Sequence, residues 1–365
     1  MAGEININIV TLLLLTVFAK NLFPANGSHN RVQSIFSFGD SLLDAGNNHY
    51  KVGCKSQADF PPYGSTFFHH PTGRFTNGRI VVDFISELLE INLQKSYLEA
   101  EMEVEIGNKK YYPSNGLNFA SASSGVLPWT NGDLGIMSIQ DQLKNFHSIL
   151  HKNKIPKEQV RNSLYFFESG SNDIYGYFLN SNSTIDANTY IQAMLKEVDN
   201  FINKIYKLGA RKIVVYSLGL VGCVPARVLF PGAPTNIECF EKMNTMAKDY
   251  NKGLEILVLN MPKKYHGSIG ILADVYTIVE QLRATPEKYG LSNVSHACCG
   301  HGTLRGSLQC GKKGYELCKN PNEYLFWDYF HPSEHAYELV TKEIWSGKDA
   351  YARPFNLKTL VNKEI

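Results

Sequence analysis

"FSFGDSLLDAGNN", residues 36–48, decides how this chain is read. An apolar segment of β character, "QSIFSF", runs straight into Gly-Asp-Ser-Leu and then into a Gly-Asn-Asn turn. Asp40 and Ser41 there act either as capping residues for a following helical turn or as part of a site. In the second case Ser41 is a nucleophile held at a strand end, where a substrate reaches it. The Gly-Asn-Asn is expected to help build the rim of that site.

The rest of the chain supplies the context. Short β-branched, aromatic or apolar runs recur at 34–38, 116–120, 163–168, 212–217 and 268–273. Helix-period segments separate several of them. Residues 189–209 place Ile191, Met194, Leu195, Val198, Phe201, Ile202 and Ile205 on one stripe and stop at Gly209. Phe240, Met243, Met246, Ala247 and Tyr250 follow the same spacing further on. Strand, long helix, strand predicts an α/β chain with a parallel sheet covered on both faces. Ligands of such sheets bind at the carboxyl ends of the strands, which is where a strand ending at Phe38 delivers Ser41.

Bulk properties narrow the class. The 365 residues are 44% hydrophobic and 19% charged, with a formal net charge of +2, so nothing points to nucleic acid. Residues 7–19 form an apolar run of signal-peptide length, too short to span a bilayer comfortably. Residues 1–27 are therefore expected to be a secretory signal, although Glu4 stands where a basic residue is usual. Cleavage sites are available after Ala19 and near Gly27. Residues 28–365 are then a single domain of a secreted, extracellular protein with no stable membrane span.

Seven cysteines suit that compartment. Cys223 and Cys239 bracket a loop rich in proline and glycine, and a disulfide there would restrain the unfolded chain. Cys298 and Cys299 are adjacent, so each is expected to take one of Cys310 and Cys318. Cys54 is the odd one out. Sequons at Asn26, Asn182 and Asn293 allow glycosylation.

Three further stretches change the odds on Ser41. "LNFASASSGVL" (117–127) is a run of small residues whose backbone N–H groups can face a cavity. "FFESGSNDIYGYF" (166–178) puts Asn172 just past a strand end. "FWDYFHPSEHAY" (326–337) sets Asp328 three residues before His331. Together they offer a nucleophile, a base, an orienting acid and oxyanion donors. A serine hydroxyl needs an imidazole to take its proton, and the imidazole needs a carboxylate on its other nitrogen. The oxyanion donors are the Ser41 N–H, a backbone N–H within 123–125 and the Asn172 side-chain amide.

These motifs, with "FPPYGSTFF", "PTGRFTNGR" and "ACCGHG" in the same order, resemble the plant-type secreted branch of the GDSL esterase/lipase family of SGNH hydrolases. The resemblance spans nearly the whole mature chain. It implies a three-layer α/β/α sandwich with a mostly parallel, flavodoxin-like sheet. It also implies a serine esterase or lipase acting on carboxylic esters, with Ser41 as nucleophile, Asp328 and His331 as its partners and Asn172 as an oxyanion donor. In one respect the chain departs from the family. The second block is usually glycine-rich, whereas here it reads Ala122-Ser123-Ser124-Gly125, so the backbone donor falls on Ser123 or Gly125.

Competing readings come from the same residues. "HPSEH" (331–335) matches the inverted zinc-protease motif, but Pro332 predicts that the helix begins just after His331, which aims the two histidines apart. No metal or organic cofactor is therefore expected. His147 and His151, four residues apart, are read as a solvated helix face. A non-catalytic secreted binding protein on this fold, an acyltransferase and a carbohydrate O-acetylesterase with the same triad remain alternatives. The partner is an ester substrate, either a lipid or an acylated wall component, and the sequence leaves the oligomeric state unknown. Val126, Leu127, Trp129, Ile174, Tyr175, Phe178 and Phe330 are expected to wall an apolar acyl groove.

Overall fold

Five short strands, β1 (Ile35–Gly39), β2 (Gly116–Asn118), β3 (Leu164–Glu168), β4 (Lys212–Tyr216) and β5 (Ile269–Ala273), pair in parallel. Each falls within two residues of its predicted span. A sixth, β6 (Ala352–Arg353), adds antiparallel to β5, giving the order β2-β1-β3-β4-β5-β6. These come from a computed structural model that describes residues 32–152, 154–180 and 185–364. The expected signal segment 1–27 and the sequons at Asn26 and Asn182 lie outside them.

Successive side chains on a strand point to opposite faces, and both faces here are apolar. Phe36, Phe38, Tyr165, Phe167, Ile213 and Val215 enter one core; Ile35, Leu164, Phe166, Val214 and Tyr216 enter the other. Helices α2 (Ile139–His151), α4 (Ala187–Lys207) and α5 (Glu241–Lys264) cover the first face. Helices α1 (Val81–Leu88), α6 (Val275–Ala284), α7 (Glu334–Ser346) and α8 (Leu357–Asn362) cover the second. A further helix, α3 (Ser171–Leu179), follows β3.

Helix α4 shows how local sequence and packing agree. Asp186 caps it by accepting from the Thr189 N–H at 3.0 Å, and all but one of the seven predicted stripe residues are buried. Leu195 is only half-buried. Each fully buried aliphatic or aromatic side chain contributes ~1.5–3 kcal/mol before conformational entropy is charged against it. The chain leaves the helix through Gly209 at φ +115°, a backbone region that disfavours any side chain.

Disulfides secure the loops that follow. Cys223 bonds Cys239, Cys298 bonds Cys318 and Cys299 bonds Cys310, which settles the two pairings that the sequence left open. Cys54 is free and buried. Cys298 and Cys299 donate backbone N–H bonds to Phe326 and Trp327 and pack with Tyr63, Phe75 and Trp327. The bridges thus brace the chain immediately before Asp328. Helix α7 begins at Glu334 with Ser333 as its cap, two residues later than Pro332 implied, so His331 sits in the loop ahead of it.

Candidate active site

The strand order reverses direction between β1 and β3, and in an open parallel sheet that switch point is where a crevice forms. Residue 41 follows β1 and residue 172 opens α3 after β3. Gly39 permits the close approach. It has φ +152°, and a Cβ there would lie 2.1 Å from the Glu168 carbonyl oxygen. Gln142 then pins this glycine, accepting from its N–H and donating to its carbonyl, each at 2.9 Å. Asp40 does act as a turn former, accepting from the Leu42 N–H at 3.0 Å, and this aims Ser41 out of the turn.

Folding brings the two ends of the chain together. Ser41 Oγ lies 2.8 Å from His331 Nε2, and His331 Nδ1 lies 2.7 Å from Asp328 Oδ1. Asp328 is fully buried and has four donors. The Phe330 and His331 backbone N–H groups and the His331 ring reach Oδ1, while the Tyr63 hydroxyl reaches Oδ2 at 2.6 Å. The Phe75 ring packs on the imidazole with centroids 4.9 Å apart. Hydroxyl, imidazole and carboxylate are therefore contiguous, and the carboxylate is held on both oxygens.

Most backbone N–H groups of the small-residue loop are already bonded within the protein. The backbone N–H groups of Ser121, Ala122, Ser124 and Val126 bond to Gly39 O, Asp44 Oδ2, Ser121 O and Asp173 Oδ2. Ser123 and Gly125 remain. Ser123 lines the same cavity as Ser41 and Asn172, whereas Gly125 does not and packs against the Asp173 carboxylate. Ser123 has φ +69°, a left-handed conformation that glycine adopts more easily, and its Oγ is 2.7 Å from Ser56 Oγ. The Asn172 amide donates to Asp40 Oδ2 at 3.2 Å and to Ser124 O at 3.0 Å.

A cavity of about 270 Å³ opens around Ser41 and His331. Over β4 and β5 its walls are apolar: Leu220, Val221, Val224, Val275 and Val279, closed by Phe326 and Phe330. On the β2 side they are mostly polar, with Lys55, Ser56, Ser123 and Gln309. Of the seven residues expected to wall the groove, only Tyr175 and Phe330 do so. Val126, Leu127 and Ile174 are core residues, and Phe178 packs on Phe240. Trp129, 67% exposed, borders a separate cleft.

Several supports carried no sequence signal of their role. Asn47 and Asn48 are not a rim but buried latches. Asn47 Nδ2 donates to the carbonyls of Asn118 and Ala120, and Asn48 Nδ2 to those of Ser56 and Ala122, so they stitch the Ser41 loop to the small-residue loop. Arg74 and Asp83 form a buried bidentate pair at 2.7 and 2.8 Å. Next to them Thr76 donates to Pro332 O and Asn77 accepts from the Glu334 N–H, which ties "GRFTNGR" to the His331 loop. The two histidines of "HPSEH" diverge, since His335 Nε2 contacts Tyr289 O. His147 and His151 are both exposed on α2. Asn293 is partly exposed, and its side chain accepts from the Ser295 and His296 N–H groups.

Buried acids surround the site. Burial pushes Asp44 and Asp173 up to about 6, against the hydrogen bonds that each carboxyl accepts. Burial also raises Asp40, while a hydrogen bond from the neighbouring Glu168 lowers it. Glu168 is held well above the usual carboxylate range by burial and by Asp40 beside it.

A hydroxyl, an imidazole and a carboxylate in line at the switch point of a parallel sheet can carry out acyl transfer, and comparison with known proteins gives the class. Residues 35–344 match the GDSL-like lipase/acylhydrolase family, and the chain belongs to that family of carboxylic ester hydrolases. It is 50% identical to GDSL esterase/lipase 6 of Arabidopsis thaliana, with 100% of this chain and 99% of the relative covered. GDSL esterase/lipase 5 of the same plant is 34% identical, covering 96% and 92% of the two chains. A GDSL lipase of Tanacetum cinerariifolium is 31% identical, covering 96% and 93%.

Proposed function

We propose that this protein hydrolyses carboxylic esters through an acyl-enzyme on Ser41. The observation that carries the reading is the continuous chain Ser41 Oγ, His331 Nε2, His331 Nδ1, Asp328 Oδ1, with steps of 2.8 and 2.7 Å. His331 Nε2 takes the Ser41 proton as Oγ bonds the ester carbonyl carbon. The C–O π pair moves onto oxygen, where the Ser41 and Ser123 N–H groups and the Asn172 amide receive it. To serve the oxyanion, Asn172 turns one hydrogen from Ser124 O while Asp40 keeps the other. His331 then passes its proton to the leaving alkoxide as the ester C–O bond breaks. Water, deprotonated by the same nitrogen, attacks the acyl-serine, and collapse returns the proton to Ser41 and releases the carboxylic acid. Throughout, Asp328 holds the imidazole in the productive tautomer.

The two sides of the cavity sort the two halves of the substrate. An aliphatic acyl chain fits the wall over β4 and β5, where valines, Leu220 and Phe326 replace its water shell at ~0.8 kcal/mol per buried methylene. A polar alcohol fits against Lys55, Ser56 and Gln309. An acyl pocket of that character favours a lipase-like ester over an acetyl group. Three disulfides and the apolar run at 7–19 support an exported enzyme. Among the described residues no helix is long and apolar enough to cross a membrane.

An organophosphonate tests the reading. The folded protein is expected to gain one stoichiometric adduct, mapping by mass spectrometry to the peptide that carries Ser41. Absence of the adduct would favour a binding protein that has kept the fold.

A further inference from the structure

Glu168 closes β3, its register partner on β1 is Gly39, and the residue after that glycine is Asp40. The second core holds strand residues Phe166 and Tyr216 together with Tyr337 of α7. By alternation along β3, Glu168 shares the face of Phe166. Four buried oxygens in this region, both of Glu168 and the hydroxyls of Tyr216 and Tyr337, have no hydrogen-bond partner among the described residues. A carboxyl group left buried and unpaired costs several kcal/mol, and leucine would fill such a position without that cost.

The neighbour that relieves it is Asp40. Both carboxyl groups are buried and only one residue apart across the β1–β3 register, close enough for a hydrogen bond once one of them carries a proton. Two carboxylates cannot bond to each other without a proton between them, and like charges at that separation do not both ionise. Asp40 in turn binds the Leu42 N–H through Oδ1 and the Asn172 amide through Oδ2. A line of contacts therefore runs from Glu168 through Asp40 to the Asn172 amide, which the acyl-transfer reading assigns to the oxyanion.

We propose that Glu168 is a positioning residue of the oxyanion site, its carboxyl sharing one proton with Asp40 so that Asp40 keeps the Asn172 amide turned toward the ester carbonyl oxygen. The inference rests on the acyl-transfer reading above and adds to it a residue that touches neither substrate nor triad. Glu168 donates its O–H, Asp40 accepts it while remaining the acceptor for Asn172, and no proton leaves the pair during turnover. The effect belongs to the transition state, because charge on the carbonyl oxygen is what Asn172 meets.

A double-mutant cycle on the full chain, read by saturation kinetics with a p-nitrophenyl ester, tests this. Glu168→Leu is expected to lower kcat roughly tenfold with KM changed less than about twofold, a fraction of the loss for deleting a whole oxyanion donor. Glu168→Gln, whose amide still donates to Asp40, is expected to restore most of kcat. In an Asn172→Ala background Glu168→Leu is expected to cost almost nothing further. Thermal unfolding checks that each variant is folded, and Glu168→Ala carries the cycle if the leucine variant is not. Full kcat in both Glu168→Leu and Glu168→Ala, equal losses in the two backgrounds, or an Asn172→Ala enzyme of normal kcat would each overturn the proposal. Those results leave the Ser41 reading standing, since that depends on the phosphonate adduct. A missing adduct removes both.

Discussion

The Tyr63 hydroxyl donates to Asp328 Oδ2 at 2.6 Å, across 265 positions of sequence, while His331 occupies the other oxygen of the same carboxylate. Asp328, fully buried, is thereby fixed from both sides. Tyr63→Phe removes the donor and leaves a buried carboxylate oxygen unsatisfied, which costs ~1–3 kcal/mol. The expected result is a fall in Tm together with a several-fold drop in kcat and little change in KM. Steady-state kinetics beside thermal unfolding checks it, and an unchanged kcat would show that Asp328 needs no second anchor.

The apolar wall over β4 and β5 makes a prediction about chain length. Val279 of α6 lines it, and Val279→Trp fills space that an acyl chain would use. Across p-nitrophenyl esters from acetate to decanoate, the ratio of kcat/KM for octanoate to that for acetate is expected to fall at least tenfold, equivalent to displacing about two buried methylenes. An unchanged ratio would place the acyl chain elsewhere.

Buried acids set the pH dependence of stability. Asp44 and Asp173 have folded-state values of about 6, above the ~3.9 of an unfolded aspartate, so the native state binds more protons between those limits. Their contribution is fully present below the unfolded value and is lost as pH rises through about 6. Glu168 acts in the same direction. Each shift of this size corresponds to roughly 3 kcal/mol. Thermal unfolding from pH 4.5 to 8 is expected to show Tm falling with pH, and Asp173→Asn is expected to flatten the slope. A Tm that climbs toward pH 8 would contradict it.

Cys299–Cys310 closes a short loop next to Trp327, the residue before Asp328. Replacing both cysteines with serine releases about 3 kcal/mol of constraint on the unfolded chain. Loss of activity on warming is expected to precede that of wild type by several degrees. Residual activity after timed incubation, with and without reductant, measures it.

Much of this architecture was legible in the chain. Short runs of apolar, β-branched and aromatic residues located β1 to β5, because strands buried on both faces are apolar throughout, and the stripe from Ile191 to Ile205 located α4, because burial of one helix face imposes that spacing. The meeting of Ser41, Asp328 and His331 was anticipated from the sequence, because acyl transfer needs those residue types at strand ends and turns. The apolar wall of the cavity was not. Val126 and Ile174 are apolar for the core and Val275 and Val279 for the cavity, and hydrophobicity is the same in both cases. The choice between Ser123 and Gly125 turns on which of them lines the cavity, a property of the folded loop. Tyr63, Asn47 and Asn48 sit inside recognisable motifs, yet their partners lie far away in sequence, so only the fold reveals what they hold.

The central claim is that the hydroxyl of residue 41 does the chemistry. Ser41→Ala, purified beside wild type and assayed on a p-nitrophenyl ester, measures it most directly. The account predicts that turnover falls by three or more orders of magnitude while the Tm stays within a few degrees. A folded Ser41→Ala protein that turns over at the wild-type rate would contradict it.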